Sequence, residues 1–126
     1  MRTRRLHHGT DGDSILSILR SGEIQPGPGG EIFFAEHEWQ HALAHGGDRK
    51  RKAAFVITLR IACPDTVEER RRATPGVPDT LILVTEKPLS AKVLELHVRR
   101  PGEGGFEVTE HQGETDIRRA LESRGR

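Results

Sequence analysis

Apolar positions fall into short clusters along the chain, and the polar or turn-forming stretches between them mark where each element ends. A cluster at Leu6 gives way at once to His7-His8-Gly9-Thr10, which predicts a first strand running into a polar loop. Ile15, Leu16, Ile18 and Leu19 recur at helical spacing, so a short amphipathic helix is expected, with Asp13 as its cap and Gly22 as its stop. Gln25-Pro26-Gly27-Pro28-Gly29-Gly30 can only be loop. Glu31-Ile32-Phe33-Phe34-Ala35 then predicts a strand, and residues 37–45 a helix closed by Gly46-Gly47. Ala53 to Ile61, rich in β-branched residues, is the longest strand expected. Residues 65–72 read as a helical turn or charged loop and residues 73–78 as a turn. Thr80 to Val84 predicts a buried strand, Lys92 to Val98 an alternating one, and Phe106 to Thr109 a weak last strand. Glu114 to Leu121 reads as a fraying terminal helix. No repeat of solenoid period is present. The succession predicts an α+β protein built on two small sheets or one bent sheet.

Composition narrows this. A chain of 126 residues suits one domain, 1–126, with a core over about 5–110 and a tail over 111–126. With 33% hydrophobic and 31% charged residues, the core must be lean. Twenty Lys and Arg against nineteen Asp and Glu leave a net charge of +1, which argues against a strongly basic nucleic-acid binder. The charged runs Asp48-Arg49-Lys50-Arg51-Lys52 and Arg70-Arg71-Arg72 read as solvated surface. The single Cys63 excludes an internal disulfide, and without a recognisable partner it is not expected to be a nucleophile. The basic first residues have no apolar run behind them, so no signal peptide is expected. No apolar stretch approaches a membrane span. A cytoplasmic protein with no membrane partner is expected.

One stretch carries a letter-for-letter H-E-x-x-H, His37-Glu38-Trp39-Gln40-His41. On an α-helix, residues i and i+4 share a face, where two imidazoles can ligate zinc while the Glu activates a metal-bound water. Gly46-Gly47 closes that helix early, and no third ligand sits at a recognised spacing; His45, Glu68 and Glu69 are the residues at hand. A zinc-dependent hydrolase is therefore the runner-up, and no metal is expected.

A larger part of the chain follows another succession. His8-Gly9-Thr10 at a strand end precedes a short helix, then come Ser21-Gly22-Glu23-Ile24-Gln25-Pro26, Phe33-Phe34-Ala35, a second helix, and the strand Asp79-Thr80-Leu81-Ile82-Leu83-Val84. Over roughly residues 5–98 this resembles the His-Gly-Thr branch of the ADP-ribosyltransferase superfamily. That branch includes poly(ADP-ribose) polymerases, rifamycin ADP-ribosyltransferases and RNA 2′-phosphotransferases. The resemblance implies a split β-sheet with short flanking helices, and NAD as substrate. It also implies transfer of ADP-ribose, with nicotinamide released, to an acceptor that is a protein, a nucleic acid or a small molecule. A toxin or defence effector is the kind of protein implied.

Cleaving NAD at the nicotinamide ribose builds an oxocarbenium-like state, which needs a held ribose and a nearby carboxylate. The resemblance gives His8 the ribose hydroxyl and Gly9 the nicotinamide carboxamide. Thr10 fixes the loop, Phe33 and Phe34 lie against the nicotinamide, His41 contacts the cofactor, and Asp79 is the acid. Glu86 and Glu107 are alternative acids. The family's middle residue is usually Tyr, which this chain lacks altogether, and its acid is usually Glu, one methylene longer than Asp79. Each residue also has a plainer reading: His8 as a loop histidine, Phe33 as core, Asp79 as a turn residue. A non-catalytic nucleotide-binding module on the same fold is the third reading.

Overall fold

The computed structural model describes residues 2–45, 47–48, 53–75 and 77–122, leaving aside the side chains of 44, 45, 47, 48, 74 and 77–79. The chain is α+β, with two antiparallel sheets and two short α-helices. The larger sheet is centred on β5 (Ala53–Cys63) and β8 (Leu89–Gly102). β1 (Arg2–Gly9) and β4 (Gly47–Asp48) share one edge of β5, while β2 (Glu23–Ile24) and β9 (Gly105–Gln112) pair with β8. β5 is buried on both faces over most of its length, as its β-branched run predicts. The smaller sheet has the order β3 (Glu31–Phe34), β7 (Val77–Val84), β6 (Glu68–Thr74).

One joint ties the sheets together. His7 donates its backbone N–H to the Ala35 carbonyl and accepts from the Ala35 N–H, both at 2.9 Å. Ion pairs run along the same seam. Arg4 reaches Glu36 at 3.0 Å and also Glu69 on β6, and Arg71 of β6 pairs with Glu36. Arg71 is thus an inter-sheet contact as well as a surface residue.

α1 (Gly12–Ser21) is capped by Asp11, whose carboxylate accepts the Ser14 N–H at 2.7 Å; Asp13 sits in its first turn instead. Gly22 ends it with φ 73°, a conformation other residues adopt at a cost. Ile15 and Ile18 enter a core shared with Leu6, Ile57 and Leu59 of the large sheet and Phe34 and Leu81 of the small one.

Three elements depart from the expectations. Residues 68–74 form strand β6, not a loop or helical turn, because an edge strand of exposed charged residues shows no hydrophobic pattern. The helix after Ala35 is a 3₁₀ helix, Trp39–His45, whose Trp39, Ala42 and Leu43 pack with Val56 on the outer face of the large sheet. The terminal helix expected over Glu114–Leu121 is present as α2 (Glu114–Glu122), but it is docked and not a tail: Ile117 and Leu121 are fully buried in the main core, so the core does not end at residue 110. Residues 49–52 of the basic run lie outside the described residues. Among the described residues no helix is long and apolar enough to cross a membrane.

In β8, residues Leu59 and Thr58 of β5 face Val93 and Glu95, which leaves Leu94 as a bulged residue. The bulge shifts the alternation by one position, so Glu95 and His97 share the outer face of the sheet with Thr58 and His7.

Candidate functional site

β1 delivers His8 and Gly9 to the end of the large sheet, opposite Ile57 and Val56 of β5. The Thr10 N–H then bonds the Phe55 carbonyl at 3.2 Å, which holds the turn into α1. His8 shares its face of β1 with buried Leu6, two residues earlier, and so faces the interior of the molecule. Its Nδ1 lies 2.8 Å from the Phe33 carbonyl, and its ring packs against Phe34 with centroids 5.4 Å apart. These two contacts fix the imidazole at a cavity of about 170 Å³. Thr10, Ser14 and Ser17 line the cavity from the α1 side, and Glu23, Ile24 and Gln25 from β2 and its exit.

The structure brings some expected residues together and separates others. His8, Thr10 and the ring of Phe34 meet, and β3 pairs directly with β7, Phe34 opposite Leu81. Phe33 and Phe34 are neighbours in a strand, and their rings take opposite faces. Phe34 is buried at 3% exposure, while Phe33 is half-buried under the Arg72 guanidinium, 5.4 Å from its ring centroid. Two stacked aromatic faces beside His8 are therefore not what the sheet provides. Asp79 falls within β7, two residues before Leu81, but its side chain lies outside the described residues. Of the alternative acids, Glu86 is exposed in the turn after β7, and Glu107 is exposed on β9 opposite Arg100. Glu23 is the carboxylate that shares the cavity with His8, and only the folding of β2 against β8 reveals it. Ser14 and Ser17 were legible in principle, as an i,i+3 polar pair opposite the apolar face of α1.

His41 is not among the cavity's lining residues. It rides on the 3₁₀ helix with its Nε2 3.5 Å from Glu38. His37 and Glu38 precede that helix and are exposed. At 3.0 residues per turn, positions four apart do not share a face, so the H-E-x-x-H stretch lacks the geometry the motif needs. His45's side chain lies outside the described residues.

Other titratable groups are buried away from the cavity. His7 bonds Thr58 Oγ1 at 2.9 Å through Nδ1, and burial, with Arg5 and His97 nearby, lowers its pKa. Burial likewise lowers the pKa of His97. It raises that of Cys63, which keeps the thiol protonated at neutral pH and removes it as a nucleophile.

No family model, curated protein or solved structure matches the chain.

Proposed function

We propose that this chain is an NAD-binding ADP-ribosyltransferase of the His-Gly-Thr kind, acting in the cytoplasm on an acceptor still to be found. The observation that carries the reading is the joint between the sheets. It sets the His8-Gly9-Thr10 strand end directly beside the Phe33-Phe34-Ala35 strand end, although the two are more than twenty residues apart in sequence. Convergence of these sequence-distant segments supports the reading, which needs both at one ligand.

In this reading His8 holds the nicotinamide ribose. Its Nδ1 is engaged by the Phe33 carbonyl, which fixes the orientation of the ring at the cavity. Gly9 offers backbone groups to the carboxamide, Thr10 fixes the loop through its N–H bond to the Phe55 carbonyl, and Asp79 supports the developing oxocarbenium charge. The cavity of about 170 Å³ is smaller than the roughly 300–1,000 Å³ of sites for drug-sized ligands, so it takes the nicotinamide end and leaves the rest of NAD on the surface. The N-terminus of α1 is already occupied by the Asp11 carboxylate, so the pyrophosphate finds its cations elsewhere.

Release of nicotinamide from NAD, followed by chromatography for wild type, His8→Ala, Asp79→Ala and Glu23→Gln, tests the reading. Asp79→Ala is expected to lose on the order of 10²-fold or more in rate while keeping most of its NAD affinity, because the carboxylate favours the transition state over the bound substrate. His8→Ala is expected to weaken binding and rate together. If Glu23→Gln abolishes release and Asp79→Ala leaves it intact, the acid is Glu23. A wild type that binds NAD and releases no nicotinamide is a binding module, and one that does not bind NAD overturns the reading.

A further inference from the structure

On the other face of the large sheet, away from His8, the bulge at Leu94 turns Glu95 and His97 outward, and Glu110 of β9 pairs with His97 across the strands. One ligand-type atom from each of Glu95, His97 and Glu110 lies within 4.8 Å of the other two. His97 is the unusual member. Only 6% of it is exposed, its ring is stacked on Trp39 with centroids 4.3 Å apart and planes 8° from parallel, and its Nδ1 has no hydrogen-bond partner among the described residues. Its Nε2 points at Glu110 Oε1 from 3.8 Å, too far for a hydrogen bond. The orphaned Nδ1 points away from Glu110 and is not what a ligand would satisfy; what points to a cation is Nε2, turned toward Glu110 by a ring fixed against Trp39, with the Glu95 carboxylate close by.

We infer that Glu95, His97 and Glu110 form a site for one divalent first-row transition ion, with zinc the best match. The donor set, one imidazole and two carboxylates, suits such an ion better than calcium or magnesium, which take all-oxygen shells. Two donors each about 2.1 Å from one zinc stand about 3.4 Å apart at a tetrahedral angle and about 4.2 Å apart when opposed, and 3.8 Å falls between. Glu110 is half-exposed and closes the remaining distance by side-chain rotation, giving up a 3.3 Å bond from Gln112. Glu95 is held from outside by Arg5 at 3.4 Å. Three protein ligands leave a fourth position for water or a ligand. The site is independent of the proposed NAD cleft, and it differs from the H-E-x-x-H stretch, where no metal is expected.

Trp39 makes the test direct, because it is the chain's one tryptophan and lies against the ligating ring. Fluorescence is followed during titration of the full chain with Co²⁺, an open-shell ion that quenches at short range, and then with Zn²⁺ as competitor. Saturable quenching at one equivalent, reversed by Zn²⁺, is expected. Glu110→Gln and Glu95→Gln, both on the sheet surface, are each expected to raise the apparent Kd about tenfold or more. His37→Ala and His41→Ala, whose histidines flank Trp39 in sequence, are expected to leave it unchanged. Absence of saturable quenching overturns the inference. So does quenching that survives both glutamate variants or disappears with His37→Ala or His41→Ala.

Discussion

Glu36 shows how a single residue holds the seam. Its carboxylate is mostly buried and lies between Arg4 of one sheet and Arg71 of the other. The hydrogen bond from Arg71, aided by the charges of both arginines and opposed by burial, keeps its pKa below the ordinary glutamate value. The folded protein thus holds Glu36 ionised to lower pH than the unfolded chain does. Its contribution is complete above the unfolded value of about 4.3 and is lost as pH falls through the lower folded value. Denaturant unfolding followed from about pH 7 to pH 3 should show this loss. Glu36→Gln should flatten that limb and cost about 1–2 kcal/mol at neutral pH, a figure reduced for the exposure of Arg71. Nothing around Glu36 in sequence announces this role, since both partners are distant. The cap of α1 was nearer to legible: two aspartates stand two residues apart, and only backbone geometry selects Asp11 over Asp13. Gly22 was legible outright, and Gly22→Ala, which meets no neighbouring atom, should cost about 1 kcal/mol through its positive φ alone, as thermal unfolding would show.

Elements with an apolar rhythm could be read from sequence, and the others could not. α1, β3, β5 and the middle of β7 carry runs that fit one period, and they form where the runs predict. β6 is held by backbone pairing to β7, and Glu68 to Arg72 offers no rhythm to read. In β8 the adjacent pair Val93-Leu94 breaks strict alternation, and that break is the trace of the bulge. α2 forms almost over the residues expected of it; its place in the core is hard to read because its mean hydropathy is low, while its two apolar anchors stand four apart on one face. Ile117→Ala should therefore cost about 2–4 kcal/mol in denaturant unfolding, whereas exposed Arg119→Ala should stay within about 0.5 kcal/mol. For the cavity, His8 and Thr10 were within reach of motif reading; Glu23 and Gln25 were not, since they enter only when β2 adds to β8.

For the molecule as a whole, the two sheets share a core yet differ in how firmly each is held. β5 and β8 have neighbours on both edges and long pairings, whereas the small sheet has three strands and an exposed charged edge. Among the described residues, its polar links to the large sheet include the ion pairs of Arg4 with Glu36 and Glu69, the His8 contact with the Phe33 carbonyl and the two hydrogen bonds between His7 and Ala35. Alternate residues of a strand send their backbone groups to opposite neighbours, so the His7 amide, though part of β1, bonds toward β3 and not toward β5. In native-state hydrogen exchange the small sheet should open as a unit at lower free energy than the large one. The amide of His7 should then exchange with β3, β6 and β7, while Leu6 and His8 on either side of it exchange with β5. A single fast amide in the middle of a protected strand would thus report when the two halves of the molecule part.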